Sequence, residues 1–246
     1  MKISENKTIL ITGGSSGIGL ELCRVLISKG NTVLICARSL ENLNKAKSEM
    51  PAVHIFTCDL SRHEDRTALF NWVTNEHPTC SVLINNAALV HKTDFRTDPD
   101  MLSKTDLEIQ TNLVAPIALC KLFLPILEKN EGTIINITTG LIYAPRAVYP
   151  IYNATKSALH AFTKVLRHQL KTTRIKVIEV MMPVVDTPWH KGDVPKIAIT
   201  SQQAVEEMLM KVENNQEEIR VGKVWLLYLL SRVAPEFAFR KINSIQ

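Results

Sequence analysis

Along this chain, short unbroken runs of apolar and β-branched residues alternate with longer stretches in which apolar residues recur every third or fourth position. Residues 7–12, 32–37, 53–58, 82–84, 133–138 and 175–181 are too brief for helices and mostly rich in Val, Ile and Thr, which predicts buried strands. Between them lie helical patterns. Ile18, Leu22, Val25 and Leu26 share one face of a first helix, and others are predicted over 40–50, 66–75, 102–127 (interrupted at Pro116) and 151–171. Strands separated by helices of this length form βαβ units, and their parallel sheet must be covered by helices on both faces. No repeat, low-complexity tract or Pro/Gly-rich linker divides the chain, so residues 1–246 read as one domain with a helical C-terminal extension over about 223–242.

Composition changes this picture little. A chain of 246 residues and 27.6 kDa suits one α/β domain with a full core. The net charge of +5 comes from scattered Lys and Arg, with no run that resembles a nucleic-acid-binding tail. Cys23, Cys36, Cys58, Cys80 and Cys120 form no C-x-x-C pair, and free buried thiols in a reducing compartment are expected. Residues 1–7 lack the apolar stretch of a signal peptide, which points to the cytoplasm. The seven histidines show no metal-ligand spacing, so no metal is expected. The apolar run 224–230, with Trp225 and Tyr228, is too short to span a bilayer and reads as a buried helix or a subunit contact. Lys223, Arg232, Arg240 and Lys241 flank it, so weak association with a membrane surface is a second reading.

The first candidate chemistry lies at residues 12–19, Thr-Gly-Gly-Ser-Ser-Gly-Ile-Gly, between the first strand and the first helix. Glycines there leave room for a pyrophosphate, and the helix N-terminus offers bare N–H groups and a favourable dipole. A plain βα turn without a ligand would use similar residues, and the spacing of Gly13, Gly17 and Gly19 is not G-x-G-x-x-G. With the alternating pattern it predicts a doubly wound, Rossmann-type fold: a mostly parallel seven-stranded sheet with helices on both faces. The second strand ends Cys36-Ala37-Arg38-Ser39, with a guanidinium where a carboxylate would bind a ribose 2′-hydroxyl. Arg38 is suited to a 2′-phosphate, which favours NADP(H) over NAD(H); an ordinary surface arginine is the alternative.

Tyr152 and Lys156 stand four residues apart near the start of a predicted helix, and so share one face. An ammonium close to a phenol favours the phenolate, which would tune Tyr152 as an acid/base for a carbonyl oxygen. Alone, Tyr-x-x-x-Lys is a common surface pattern. Thr139 ends the fifth strand, on the side where doubly wound sheets bind ligands.

The glycine turn, Asn85-Asn86-Ala87-Ala88, Asn112, Thr139, Tyr152 and Lys156 together resemble the short-chain dehydrogenase/reductase family over about three quarters of the chain. Residues 183–187 (Pro-Val-Val-Asp-Thr) and 219–235 resemble its DltE-like branch. The resemblance implies an NADP(H)-dependent oxidoreductase that interconverts a small-molecule carbonyl and a secondary alcohol. Tyr152 would be the acid/base, Lys156 its tuning group and a ribose ligand, Thr139 the group orienting the carbonyl, and Asn112 the holder of a relay water at a helix irregularity. Gly13, Ser15, Ser16, Gly17, Ile18 and Gly19 would line the pyrophosphate; Asp59 and Leu60 would lie beside adenine, Asn86 behind the ribose, and Val185 and Thr187 at the carboxamide. A homodimer is implied, through the helices over 102–127 and from Ile151. Thr139 replaces the usual serine and Ala88 the usual glycine, which leaves a catalytically weak, regulatory dinucleotide binder as the alternative. Residues 189–200 are expected to form a lid. Trp189 and His190, with Leu141, Ile142, Tyr143 and Tyr149, would line an apolar substrate pocket.

Overall fold

A parallel sheet of seven strands organises the chain, and the computed structural model describes residues 6–244. The first half runs β1 (Thr8–Thr12), α1 (Gly17–Ser28), β2 (Thr32–Ala37), α2 (Leu40–Glu49), β3 (His54–Thr57), α3 (His63–Glu76), β4 (Cys80–Asn85), α4 (Met101–Ile109) and α5 (Ala115–Lys129). There follow β5 (Thr133–Thr139), α6 (Pro150–Gln169), β6 (Lys176–Met182), β7 (Val185–Asp186), β8 (Ile199–Thr200), α7 (Ser201–Glu213), β9 (Glu218–Arg220), α8 (Val224–Val233) and α9 (Pro235–Asn243). The sheet order is β3-β2-β1-β4-β5-β6-β9, while β7 and β8 pair separately. Most of residues 1–7, read above as lacking a signal peptide, lie outside the described residues.

Alternation along the strands sends side chains to two cores. Ile9, Ile11, Val33, Ile35, Val82 and Ile84 meet Leu22 and Leu26 of α1 and Met208 and Leu209 of α7 on one face. Leu10, Leu34, Leu83 and Ile134 meet Leu69 of α3, Leu119 and Phe123 of α5 and Leu166 of α6 on the other. Because both faces are covered, β1, β4 and β5 are buried along their whole length, polar positions such as Asn85 and Asn136 included. The expected doubly wound fold is the observed one.

Three expectations need correction. The interruption in the long helix is not at Pro116 but in a π turn over Gln110–Val114, where the Ala115 N–H reaches back to the Gln110 carbonyl. Pro116 sits in the first turn of α5, where its missing N–H is tolerated. This 29-residue helical stretch, Met101–Lys129, is long and apolar enough to cross a bilayer, but Leu119, Phe123 and Leu127 are fully buried in the core. Next, of the two readings of the 224–230 run, buried helix or subunit contact, the structure excludes the first. Trp225, Leu226, Leu229 and Val233 lie on one arc of it and are exposed, at 54%, 42%, 48% and 84%. Finally, the segment 189–200 is partly ordered by pairing: Ile199 and Thr200 form β8, and the Thr200 and Gln203 side chains close a capping box on α7.

Candidate active site

The strand order reverses at β1, whose neighbours β2 and β4 lead away in opposite directions, and a crevice opens beyond their C-terminal ends. There the turn after β1 is held in a shape that needs glycine. Gly13 has φ +67°, and a Cβ on Gly19 would stand 2.2 Å from the Gly13 carbonyl oxygen. Asn86 pins this turn to β4: its Nδ2 donates to the Thr12 carbonyl at 2.9 Å and the Gly13 carbonyl at 3.4 Å. The Thr12 hydroxyl accepts from the Asn86 and Ala87 amides, each at 3.0 Å. Ser16 precedes α1 without making a side-chain cap, and no acidic residue lies in the first turn. The helix start is therefore left for an external anion.

The crevice encloses about 710 Å³. Gly13, Ser15, Ser16, Gly17, Ile18, Gly19, Arg38, Asp59, Leu60, Asn86, Thr139, Tyr152, Lys156, Val185 and Thr187 all line it. Arg38 is exposed at one end, where β2 gives way to α2. Burial pushes the Asp59 carboxyl up, but bonds from the Ser61 hydroxyl (2.7 Å) and amide (3.0 Å) and the charges of Arg38 and Arg62 outweigh it, leaving the pKa below the usual range. Ser39 and Asn42 also border this end. The sequence does signal Ser39, which stands immediately before a polar helix as an N-cap; its hydroxyl accepts from the Asn42 amide at 3.2 Å.

At the other end, Pro150 starts α6 and sets Tyr152 and Lys156 one turn apart, facing the end of β5. The Thr139 hydroxyl hydrogen-bonds with the Tyr152 phenol and accepts from the Leu141 amide at 3.3 Å. Lys156, 2% exposed, donates to the Ile137 carbonyl at 2.8 Å, with its Nζ 6.0 Å from the Tyr152 ring centre. The expected lowering of the phenol's pKa is not found. Burial pushes Tyr152 up to about 12, against the Thr139 bond and with the help of the Glu108 carboxylate and Tyr149. Burial also brings Lys156 down to about 8, opposed by Glu179. In the chain alone, low polarity outweighs the tyrosine–lysine pairing, and Tyr152 is a protonated donor at neutral pH.

The Lys156 shift has a consequence for stability. Its folded pKa lies below the unfolded value, so between about pH 8 and 10 the unfolded chain holds more protons and stability rises with pH, by up to about 1.4 kcal/mol per unit. Above about pH 10 the raised Tyr152 acts in the opposite sense. Lys156→Met is expected to raise stability at pH 7 and to flatten this rise. Urea unfolding at pH 7, 8 and 9.5 checks it; an unchanged slope in the variant contradicts it.

Asn112 is the expected site residue that does not line the crevice. It is fully buried in the π turn, where Oδ1 accepts from the Leu89 amide (2.7 Å) and Nδ2 donates to the Leu89 carbonyl (2.8 Å) and the Thr155 hydroxyl (3.3 Å). Its neighbour Thr111, with Leu89 and Val90, reaches the crevice instead. Of the expected substrate-pocket residues, Trp189 lines the crevice, with its Nε1 3.3 Å from the Val90 carbonyl and its ring against Tyr149. His190 packs on Trp189. Leu141, Ile142, Tyr143, Tyr149 and His190 do not line it. Tyr143 turns away to meet Tyr228 of α8 edge-on and take a hydrogen bond from Arg220 at 3.1 Å.

A glycine-bearing turn at the switch point, with Thr139, Tyr152 and Lys156 across the crevice, defines an oxidoreductase of one family, and sequence comparison agrees. A sequence model of the short chain dehydrogenases matches residues 7–198. The uncharacterized oxidoreductase DltE of Bacillus subtilis is 40% identical, and the match covers 99% of both chains. The chain belongs to the short-chain dehydrogenase/reductase family, in its DltE-like branch. Among solved structures, a short chain dehydrogenase from Burkholderia cenocepacia in complex with NADP superposes with a TM-score of 0.86 at 24% identity, over 98% of this chain and 99% of its own. A metagenomic short-chain oxidoreductase in complex with NADP gives 0.73 at 25% identity, over 90% of this chain and 99% of its own.

Proposed function

We propose that this oxidoreductase uses NADP(H) to interconvert a carbonyl and a secondary alcohol. The observation that carries the reading is that one crevice runs from an uncapped helix start and an exposed arginine to Thr139, Tyr152 and Lys156. The residues fit the cofactor. Gly13 to Gly19 leave space and bare amides for a pyrophosphate, Arg38 offers paired N–H donors to a 2′-phosphate, and Val185 and Thr187 border the crevice near Gly17. The two solved structures in complex with NADP support the same choice.

NADPH held by these residues would supply a hydride to the carbonyl carbon. Tyr152 gives its proton to the carbonyl oxygen as negative charge develops there. Thr139 holds that oxygen with a second hydroxyl. Lys156 holds the nicotinamide ribose, and its ammonium stabilises the phenolate that remains. Asn112 has its side chain committed to Leu89 and Thr155, so its part in a water relay falls to the backbone of the π turn. The test is a screen of aldehydes, ketones and alcohols with each nicotinamide cofactor, followed by absorbance. Tight NADPH binding with no turnover anywhere in the screen would favour the regulatory alternative.

We also place the protein in the cytoplasm, as a homodimer. Val165 on α6 and Leu102 on α4 are exposed on the expected pairing helices, and the arc of α8 adds further apolar surface. Light scattering at micromolar concentration is expected to give twice the chain mass of 27.6 kDa. A strict monomer rejects the dimer.

A further inference from the structure

Two buried carboxylates stand out among the described residues: Glu108, 1% exposed, and Glu179, 0% exposed. An ionised carboxylate without water costs several kcal/mol unless it is paired and hydrogen-bonded. Each of these two is clasped by a histidine. The His91 Nδ1 lies 2.8 Å from Glu108 Oε1, and the His160 Nδ1 lies 2.8 Å from Glu179 Oε2 and 3.0 Å from Oε1. Neither pair has a part in the chemistry proposed above, yet Glu108 acts on Tyr152 and Glu179 on Lys156.

The surroundings of Glu179 tie it to the lysine. Glu179 lies on the central part of β6, in register with Asn136 of β5. Its Oε1 accepts from the Thr138 hydroxyl at 2.6 Å. Thr138 is the residue between Ile137, whose carbonyl takes the Lys156 ammonium, and Thr139, which bonds Tyr152. On α6, His160 follows Lys156 by one turn, so the helix face that carries Tyr152 and Lys156 continues directly onto the residue that grips Glu179. We infer that Glu179 is a positioning residue for the active site: its buried carboxylate, held by Thr138 and His160, is the counter-charge that keeps Lys156 an ammonium where water is excluded.

This inference rests on the reading of Lys156 as a charged ribose and phenolate partner. Among the described residues Lys156 donates one hydrogen bond, to a neutral carbonyl, and burial favours its uncharged form. A carboxylate deep in the same low-polarity region opposes that preference without touching cofactor or substrate. The groups facing Glu179 are Lys156 and His160 from α6 and Tyr143 from the segment after β5, whose ring centre is 6.5 Å from that of His160. Behind Tyr143 stand Arg220 and Glu218 of β9. Glu108, on α4, acts on Tyr152 instead.

The experiment is a pH titration of the Lys156 side chain by carbon NMR in protein labelled at lysine Cε, with NADPH binding followed by nicotinamide fluorescence over the same range. In Glu179→Gln, which keeps shape and hydrogen-bonding capacity, the Lys156 midpoint is expected to fall by about one unit or more. At the original midpoint the ratio of ammonium to amine then falls about tenfold. The pH at which NADPH affinity declines is expected to fall with it. Glu108→Gln, an equal loss of a buried carboxylate gripped by histidine, is expected to leave the lysine midpoint in place. His160→Gln, which keeps the carboxylate, is expected to hold the midpoint or raise it, and it carries the test if Glu179→Gln does not fold. An unmoved midpoint in Glu179→Gln, or a downward shift in His160→Gln, overturns the inference. A moved midpoint with unchanged NADPH binding upholds the electrostatic role of Glu179 and contradicts the role of Lys156 at the ribose.

Discussion

Tyr152→Phe is expected to lower turnover by at least about 10²-fold, the smaller end of what a positioned acid/base contributes. The substitution removes the one transferable proton on the ring and leaves its packing nearly unchanged. NADPH affinity is expected to stay within about twofold, because Arg38 and the glycine turn lie at the other end of the crevice. The hydroxyl lost is the one bonded to Thr139, so the effect is specific to the reacting oxygen. Steady-state kinetics with an accepted carbonyl, beside a fluorescence titration with NADPH, check both halves. Full turnover in the variant means the proton comes from another group.

The second large effect concerns the cofactor. NADPH is expected to bind more tightly than NADH, and Arg38→Ala to lose most of that preference. A charge-assisted hydrogen-bonded pair contributes about 1.5–3 kcal/mol, and Arg38 is exposed, so screening places the loss toward the lower part of a tenfold to hundredfold range. NADH affinity is expected to change little. Binding titrations with both cofactors at two salt concentrations measure it. Equal affinity for NADPH and NADH in the unaltered protein contradicts the assignment.

The sheet was legible because its strands are buried on both faces. Strands such as residues 8–12 and 133–139 leave no polar alternation to obscure them. The crevice was legible because its residues fall at strand ends and one-turn spacings, which sequence shows directly: Gly13 and Gly19 after β1, Arg38 after β2, Tyr152 and Lys156 on α6. What sequence hid depends on long-range partners. The π turn around Asn112 is a hydrogen-bond shift of one residue that apolar periodicity does not register; the family resemblance alone pointed to an irregularity there. Glu179 reads as one polar position in a strand; its partner His160 lies 19 residues away, and Thr138 lies 41. Sequence left α8 open between a buried helix and a contact surface because its apolar residues share one arc, a pattern that fits burial and exposure equally well. The direction of the Tyr152 shift was missed for a related reason, since spacing reveals the ammonium nearby but not the depth of burial.

The central claim is transfer of a hydride to a carbonyl carbon with Tyr152 supplying the proton. Incubating the protein with NADPH carrying deuterium at the nicotinamide C4, together with a carbonyl compound it turns over, tests that claim most directly. The account predicts deuterium on the carbinol carbon of the product alcohol from one face of the cofactor, and at least about 10²-fold slower transfer in Tyr152→Phe. Product alcohol without deuterium at that carbon from either face, or transfer unaffected by the loss of the phenol, would contradict it.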